Sequence, residues 1–402
     1  MRIINLCQYI AHNPKHGGAI RVFHINKELG KYKDTKVIQF SFTPLLFRNE
    51  IHKTGNYTEH IKNPLIYTAM VILVSKIFRI HSFDFAIPFV FGFTRAPVKL
   101  VGEIKKADII QVEHPWLFKW VYKLKNKYNP RAKMILDCHN VEYEQYKALL
   151  KNKVMFKRII LKSIKKTEGF AVKKADFCIA MCQEDINSFI KLYGVNKNKF
   201  LIIPTGVDIN KYKPLPVKKK EKLKQRMGFK DKKIVLFTGA RHPPNYEAFL
   251  KIKNSIAPKT RLLNKNILFV IAGHVCKKQS YENIICTGFV DDIIPYFKVA
   301  DIAINPVVSG SGFNSKMIEY FAAALPVITT RHGSRGLRVR NNREVFVRDI
   351  KDFPKTINNL LKNKELKLSL ARRAGGFIKE CEWKRVVSRL GKAYEKLVKD
   401  FG

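Results

Sequence analysis

The sequence predicts two successive α/β domains, each built around a doubly wound, Rossmann-like parallel sheet. The chain has 402 residues, which is more than one ordinary hydrophobic core holds. Short apolar runs that end in polar residues alternate with segments of helical periodicity, which is typical of parallel strands with ligand groups at their carboxyl ends. The alternation is interrupted at 203–216, where three prolines and a glycine indicate a linker.

The predicted strands follow from these apolar runs. In the first domain they are 3–6, 37–42, 107–114, 133–140 and 175–181, with a helix at about 19–30. In the second domain they are 233–238, 267–272, 284–287, 301–306 and 327–330. The last stretch, about 356–400, is basic and amphipathic and is predicted to be helical. We therefore expect domains at 1–205 and 206–380, and a C-terminal helix at 381–402 that packs back towards the first domain.

The charge of the chain predicts an anionic partner. The formal net charge is +44, from 76 basic and 32 acidic residues. Nucleic acid, a phospholipid surface or phosphorylated substrates would all fit this charge. There is no zinc-finger spacing and no aromatic RNA-binding signature, so nucleic acid ranks below a membrane surface and phosphate-bearing ligands.

The cysteines and the apolar segments indicate a cytoplasmic protein. The seven cysteines are scattered, do not form a metal-binding cluster, and are expected to be reduced and buried. The first apolar run is too short for a signal peptide and is predicted to be a buried strand. The apolar stretches at 65–75 and 83–93 are both shorter than a membrane span, so we interpret them as core in preference to a surface that dips into lipid.

A glycine-rich loop followed by a helix is the most informative motif of the second domain. It reads Gly310, Ser311, Gly312 and then, within the helix, Lys316 and Glu319. Such a loop presents backbone N–H groups that suit a phosphate, and the two charged residues share one helix face. A cation for phosphate beside a carboxylate for sugar hydroxyls suits a nucleotide sugar. The alternative is a tight turn with a solvated ion pair.

Three polar residues at strand ends are the candidate catalytic groups of the first domain. Glu113 and His114 end one predicted strand, and His139 follows the next. They fit either a reaction site or hydrogen-bonded packing. No spaced pair of aspartates follows a strand, because Asp291 and Asp292 are adjacent and are expected to cap a helix. We therefore expect no metal and no cofactor.

Taken in order, the motifs resemble the retaining glycosyltransferases of family 4, which have the GT-B fold of two Rossmann-like domains facing a central cleft. The matching segments span nearly the whole chain and are 17–18, 137–144, 204–208, 237–241, 288–290 and 310–336. The resemblance implies an acceptor-binding N-terminal domain and a donor-binding C-terminal domain. It also implies a nucleotide sugar as co-substrate and a glycan or lipid-linked acceptor.

The resemblance assigns roles to individual positions of the donor site. It implies that Glu319 holds the donor ribose and that Arg241 and Lys316, with the loop at 310–312, face the diphosphate. Val290 would meet the nucleobase through its backbone. Family members often carry a second glutamate eight residues before Glu319, where this chain has Ser311, so the identity of the donor stays open. His242 and Asn245 are interpreted as loop and helix-cap residues.

The resemblance also assigns the N-terminal positions. Gly17 and Gly18 would let their loop approach the phosphate and the acceptor, although the pair also fits a simple turn. His139, Glu113 and His114 would sit at the cleft. Fixed cations and a helix N-terminus would stabilise the departing diphosphate, so no metal is required.

The function that these observations predict is transfer of a sugar from a nucleotide sugar by a retaining, metal-independent enzyme. The basic segment 151–174 is interleaved with apolar residues, which fits an ordinary surface helix with its apolar side facing inward. Its charge suggests peripheral attachment to an anionic membrane, on the inner face of the cell membrane, and the two interpretations are compatible if one edge of the helix faces lipid. Two alternatives remain open, a sugar-nucleotide epimerase or hydrolase on the same scaffold and a polyanion-binding protein without enzymatic activity.

Overall fold

The structure, a computed structural model, describes residues 1–14, 16–43, 49–62, 67–70, 73, 84–92, 94–150, 156–310 and 312–399. The chain divides into two compact units. Unit 1 comprises Met1–Thr205 and Trp383–Gly402, and unit 2 comprises Gly206–Glu382.

Unit 1 is built on a largely parallel sheet. Its strands are β1 (Arg2–Cys7), β2 (Lys36–Phe42), β3 (Glu50–Thr54), β4 (Tyr57–Lys62), β5 (Ile109–Glu113), β6 (Lys133–Cys138), β7 (Phe177–Ala180) and β8 (Phe200–Ile202). Among the described residues the strand order is β3-β4-β2-β1-β5-β6-β7-β8, and β3 pairs antiparallel with β4 while the other pairs are parallel. The carboxyl ends of β4, β2, β1, β5 and β6 therefore lie side by side along one edge of the sheet.

Helices cover both faces of this sheet. They are α1 (Gly17–Leu29), α2 (Ile87–Gly92), α3 (Val98–Ile104), α4 (Phe118–Tyr128), α5 (Glu142–Leu149), α6 (Lys157–Lys174), α7 (Gln183–Tyr193) and, at the C-terminal end, α16 (Trp383–Lys399). Successive residues of β1 point to opposite faces of the sheet, so each face needs its own layer of helices. Ile3 packs with α1 and α16, while Ile4 packs with the helices of the other face. Each buried isoleucine contributes about 1.5–3 kcal/mol.

Unit 2 repeats the architecture. Its strands are β9 (Lys233–Thr238), β10 (Ile267–Ala272), β11 (Gln279–Tyr281), β12 (Ile284–Gly288), β13 (Ile302–Asn305), β14 (Val327–Thr329) and β15 (Phe346–Val347). Within the described ranges the order is β11-β12-β10-β9-β13-β14-β15, with β11 antiparallel to β12. Its helices are α8 (Ile209–Tyr212), α9 (Val217–Arg226), α10 (Pro243–Lys251), α11 (Ala257–Leu263), α12 (Ile294–Val299), α13 (Ser315–Ala322), α14 (Phe353–Lys362) and α15 (Lys364–Lys379).

The predicted fold class, two doubly wound α/β domains, is confirmed. All ten predicted strands are present, whereas β3, β4, β8, β11 and β15 were not predicted. The stretch 356–400, predicted as helical throughout, is divided among α14, α15 and α16, and Asn363 caps α15 by accepting from the Leu366 backbone N–H at 2.8 Å. The first part of the basic segment, 151–155, lies outside the described residues, and the helix there begins at Lys157.

The apolar stretches and the cysteines are found where a packed core needs them. Phe85, Ile87, Val90 and Phe91 are buried, whereas Phe89 is 59% exposed. Much of 65–75 lies outside the described residues. No helix in the described part of the chain is long and apolar enough to span a bilayer. All seven cysteines are buried and free.

Candidate active site

Two histidine–carboxylate pairs meet at the end of the unit 1 sheet where its parallel strands have their carboxyl ends. His114 Nδ1 lies 2.6 Å from Glu142 Oε1, and His139 Nε2 lies 2.7 Å from Glu113 Oε2. The two imidazole rings are 4.2 Å apart between centroids. Tyr9 Oη lies 3.5 Å from both His114 Nε2 and His139 Nδ1, so the hydroxyl faces the free nitrogen of each ring. We call these five residues the histidine cluster.

The ends of the strands bring the histidine cluster together. Tyr9, His114 and His139 each follow closely on the carboxyl end of a strand, namely β1, β5 and β6, which are neighbours in the sheet. His114 has φ +60°, a left-handed conformation that is uncommon and strained for a residue other than glycine. The sharp turn after Glu113 orients the His114 ring towards His139. Strain of this kind is typical of functional positions.

The two imidazoles have opposite electrostatic environments. Burial alone would lower the pKa of His114, but the Glu142 carboxylate, together with Asp84 and Glu113, outweighs burial and raises the pKa. Burial and the neighbouring His114 lower the pKa of His139 well below its usual value. Because a carboxylate only accepts, His139 Nε2 donates to Glu113, and its Nδ1 is left as an acceptor. The cluster thus offers a proton donor, His114, opposite a proton acceptor, His139.

A buried ion pair lies beneath the histidine cluster. Arg21 donates two hydrogen bonds of 3.0 Å to the two carboxylate oxygens of Asp137, and both side chains are almost fully buried. Asp137, Glu113 and His139 have ligand atoms within 4.8 Å of one another and could hold a metal ion. Each already has a partner, because Asp137 faces the Arg21 guanidinium and Glu113 accepts from Asn5 at 2.7 Å and faces His139. A dication would have to compete with the guanidinium for Asp137, so we assign these groups to an internal network.

The predicted glycine pair begins α1 beside the same cluster. A Cβ on Gly18 would lie 2.9 Å from Tyr9 Oη and 3.5 Å from His139 Nδ1, whereas a Cβ on Gly17 would meet nothing within 4 Å. The close approach explains why position 18 has no side chain. The ring of His16, the N-cap of α1, lies edge-on to the Tyr9 ring at 4.8 Å.

In unit 2, Lys316 is buried with little to balance its charge. It is 9% exposed, its Nζ donates to Asn245 Oδ1 at 2.6 Å, and the ammonium lies 4.5 Å from the centroid of the Phe237 ring. Burial lowers the pKa of Lys316 to about 7, and the charge of Glu319 only partly opposes this effect. A cation that is desolvated and incompletely neutralised suits an incoming anion.

Glu319 lies one turn further along α13. Tyr212 of α8 donates a hydrogen bond to it. Burial raises the pKa of Glu319, while Tyr212 and Lys316 lower it. A ligand hydroxyl could replace the tyrosine hydroxyl at this carboxylate or share the carboxylate with it.

The glycine loop precedes α13. Gly310 has φ +105° and Gly312 has φ +83°, conformations that other residues rarely adopt. A Cβ on Gly310 would lie 2.8 Å from Pro244 Cγ, so this loop packs against the start of α10. Ser311, the other predicted donor residue of the loop, lies outside the described residues.

Arg241 and Val290 lie on two other loops of unit 2, and in the described residues the hydrogen bond and the ring contact of Lys316 involve Asn245 and Phe237 instead. Arg241 is exposed on the loop after β9, and Val290 is half-buried on the loop after β12. Gly288, with φ +67°, redirects the chain there and leaves Phe289 73% exposed. Both loops follow carboxyl ends of the parallel part of the unit 2 sheet.

The sequence analysis missed several residues that contact the predicted ones, among them Asn5, which donates to Glu113. Asn245 was interpreted as a helix-cap residue, but its side chain accepts from Lys316. Glu142, Tyr9 and Tyr212 were not predicted as site residues. Glu142 belongs to the segment 137–144 that was singled out, and Tyr9 follows a predicted strand end, so both positions carried a signal.

Known families match both units. The model for Glycosyltransferase Family 4 matches residues 57–211, and the model for Glycosyl transferases group 1 matches residues 232–363. The two models together match most of the chain, so the chain belongs to the glycosyltransferases that they describe. A chitobiosyldiphosphodolichol beta-mannosyltransferase from Debaryomyces hansenii is 23% identical over 309 residues, which are 67% of this chain and 64% of that protein. The chain thus spans less than two thirds of that relative's length.

Solved structures show the fold. The crystal structure of Anabaena HepE in complex with UDP superimposes with a TM-score of 0.70 at 14% identity, covering 98% of this chain and 100% of the other. Sucrose-phosphate synthase from Thermosynechococcus elongatus gives a TM-score of 0.71 at 13% identity and covers both chains completely. The fold is the GT-B fold of two Rossmann-like units.

Proposed function

We propose that the protein transfers a sugar from a nucleotide sugar to a glycan or lipid-linked acceptor, with retention of configuration and without a metal ion. Unit 2 would bind the donor and unit 1 the acceptor. The observation that carries the proposal is the buried, poorly neutralised Lys316 between a positive-φ glycine loop and Glu319. UDP in the HepE complex and the mannosyl transfer named for the yeast relative support a nucleotide-sugar donor.

The chemistry needs charge balance on the leaving diphosphate. Breaking the bond between sugar and diphosphate builds negative charge on the phosphate oxygens, and a fixed cation in a water-poor site stabilises that charge strongly. Lys316 would supply the cation, and the backbone N–H groups of the loop before α13 would add dipoles. The departing phosphate would accept the proton of the acceptor hydroxyl, which is front-face attack with retention.

The histidine cluster would serve the acceptor side. His139, Glu113 and His114 are the proposed catalytic residues, with Glu142 and Tyr9 holding the rings. An imidazolium at His114 could donate a hydrogen bond to an acceptor hydroxyl, and the neutral imidazole at His139 could accept one from it. Together the two rings would fix the orientation of the hydroxyl proton.

A binding panel tests the donor site. Wild-type protein is heated with UDP, GDP, ADP, UDP-glucose and GDP-mannose, and the melting temperature is measured. One nucleotide class should stabilise the protein selectively, by about 2.7 kcal/mol at 100 times the dissociation constant. Glu319→Ala should abolish the shift, while Glu365→Ala, at an exposed position of α15, should keep it. Equal shifts in both variants would remove Glu319 from the site.

We further propose peripheral attachment to the cytoplasmic face of an anionic membrane. Helix α6 presents Ile159, 65% exposed, beside basic residues such as Arg158 and Lys162, and Phe156 just before it is 50% exposed. Each cation near an anionic surface adds about 1 kcal/mol. The net charge of +44 acts in the same direction.

Vesicle sedimentation tests this attachment. The protein should pellet with vesicles containing anionic lipid, and high salt should release it because the attraction is screened. Ile159→Glu should weaken pelleting, whereas Leu262→Glu, at a position 88% exposed in unit 2, should not. Equal pelleting with neutral and anionic vesicles would refute the proposal.

A further inference from the structure

We infer that a small aromatic cavity in unit 1 binds the hydrocarbon segment nearest the phosphate of a lipid-linked acceptor, and that Arg95 and Lys62 bind that phosphate. This inference rests on the proposed function, because it names the chemical class of the acceptor.

One side of the cavity is aromatic and the other is polar. The cavity measures about 150 Å³ and is lined by Phe42, Phe91, Trp120 and Pro97 together with Asn49, Lys62, Thr94 and Arg95. The three ring centroids lie 5.0–5.6 Å apart in mutually tilted, edge-on pairs. Trp120 Nε1 donates to the Thr94 carbonyl at 3.2 Å, so the polar atom of the indole is satisfied. A cavity of this volume has room for a molecule as large as benzene, which is comparable to a five-carbon isoprene unit, against its aromatic side.

Two cations line the same cavity. Arg95 is exposed and Lys62 is half-buried, and both contribute to the lining. In the described part of the chain neither has an acidic partner within ion-pair distance. An aromatic interior beside two uncompensated cations is complementary to an amphiphile whose anionic head adjoins its hydrocarbon chain.

The position of the cavity suits an acceptor. Phe42 is the last residue of β2 and Lys62 the last of β4, so both lie on the sheet edge that carries the histidine cluster. Strand β2 is two places from β5, which corresponds to about 10 Å across the sheet. A glycan attached to a phosphate at Arg95 and Lys62 could therefore extend along this edge to His114 and His139.

Alkyl phosphates of increasing chain length test the inference. Inorganic phosphate, butyl, hexyl and decyl phosphate are titrated below their micellar concentrations, and binding is followed by tryptophan fluorescence and calorimetry. Affinity should rise by about fourfold per methylene up to roughly six carbons and then level off as the cavity fills. An affinity that does not depend on chain length would overturn the inference.

Variants separate the two parts of the site. Trp120→Leu should flatten the dependence on chain length. Arg95→Gln, an exposed change that leaves the core intact, should weaken all phosphates by roughly fivefold or more. Arg131→Gln is the matched control at another exposed arginine of unit 1 and should change nothing. If Arg95→Gln and Arg131→Gln behave alike, Arg95 does not bind the phosphate.

The nucleotide panel distinguishes the two possible failures. If nucleotides stabilise the protein but chain length has no effect, the cavity inference is wrong and the donor site stands. If alkyl phosphates bind with the expected dependence but no nucleotide does, the cavity stands as a lipid-phosphate site and the proposed transferase function is wrong.

Discussion

Binding of a nucleotide sugar should be coupled to protonation of Lys316. In the unliganded protein the pKa of Lys316 is lowered from 10.5 to about 7 because the ammonium is buried beside Asn245 and the Phe237 ring, and the charge of Glu319 only partly opposes this effect. A diphosphate beside Nζ favours the charged form and restores a high pKa. Above pH 7 the protein must therefore take up a proton to bind, and affinity should fall as pH rises.

The size of the effect follows from the pKa. Each pH unit above 7 costs about 1.36 kcal/mol, so affinity should fall by about 30-fold between pH 6 and pH 8.5. A nucleotide sugar is the better probe because its diphosphate is a diester with no proton to lose in this range. The pKa of His242, which burial and Lys316 lower, is below its usual value, so His242 stays neutral above pH 7 and does not contribute.

Calorimetry measures both the affinity at each pH and the number of protons taken up on binding. Titrations in two buffers of different ionisation enthalpy should give an uptake close to one proton at pH 8 and less at pH 6. Lys316→Met should bind weakly with no dependence on pH, while Lys355→Met, at an exposed lysine of α14, should behave like wild type. An affinity that stays constant from pH 6 to 8.5, with no proton uptake, would refute the reasoning.

Lys316→Met should also stabilise the unliganded protein. The unfolded chain has the ordinary pKa of lysine, and the folded pKa is lower, so between pH 7 and about 10 the unfolded chain binds more protons. The free energy of unfolding of wild type therefore rises with pH in this window. Lys316→Met removes the cost of burying the charged ammonium. The gain in melting temperature of this variant over wild type should therefore be largest near pH 7 and shrink towards pH 9.

Two further predictions concern the histidine cluster. Gly18→Ala should lower the rate of transfer by on the order of 10- to 100-fold, because its Cβ would displace the Tyr9 hydroxyl. Gly17→Ala should be neutral, because its Cβ would meet nothing within 4 Å. Equal kcat/KM values for the two variants would contradict this prediction. Glu142→Gln should lower the pKa of His114, because the carboxylate that raises it is gone, and reduce activity at pH 7 by about tenfold or more. An NMR titration with labelled histidine that finds an unchanged pKa would show that Glu142 does not set the charge of the ring.

The parallel strands could be predicted because they are buried on both faces. Runs such as 234–237 and 267–272 are continuously apolar, and the structure has strands over 233–238 and 267–272. The antiparallel pair β3 and β4 was missed because its residues are mostly polar or charged. The turn signal was present in the sequence as Gly55 followed by Asn56, and in the structure Gly55 has φ +58° between the two strands.

Side-chain partners were harder to predict because the fold joins distant segments. Glu142 lies 28 residues from His114, and Asn245 lies 71 residues from Lys316. Sequence spacing identifies the groups that share one helix, as with Lys316 and Glu319, but not those that meet at the edge of a sheet. The left-handed turn at His114, which directs its ring to His139, has no signature in the residue types.

Transfer of labelled sugar tests the central claim most directly. Nucleotide sugars with a radiolabelled sugar are incubated with the protein, with and without a lipid extract, and the label is followed into the organic phase. The account predicts that label enters the lipid fraction, that donor is consumed only when lipid is present, and that Lys316→Met abolishes the reaction. Consumption of donor at the same rate without lipid, as a hydrolase or an epimerase would give, would contradict it.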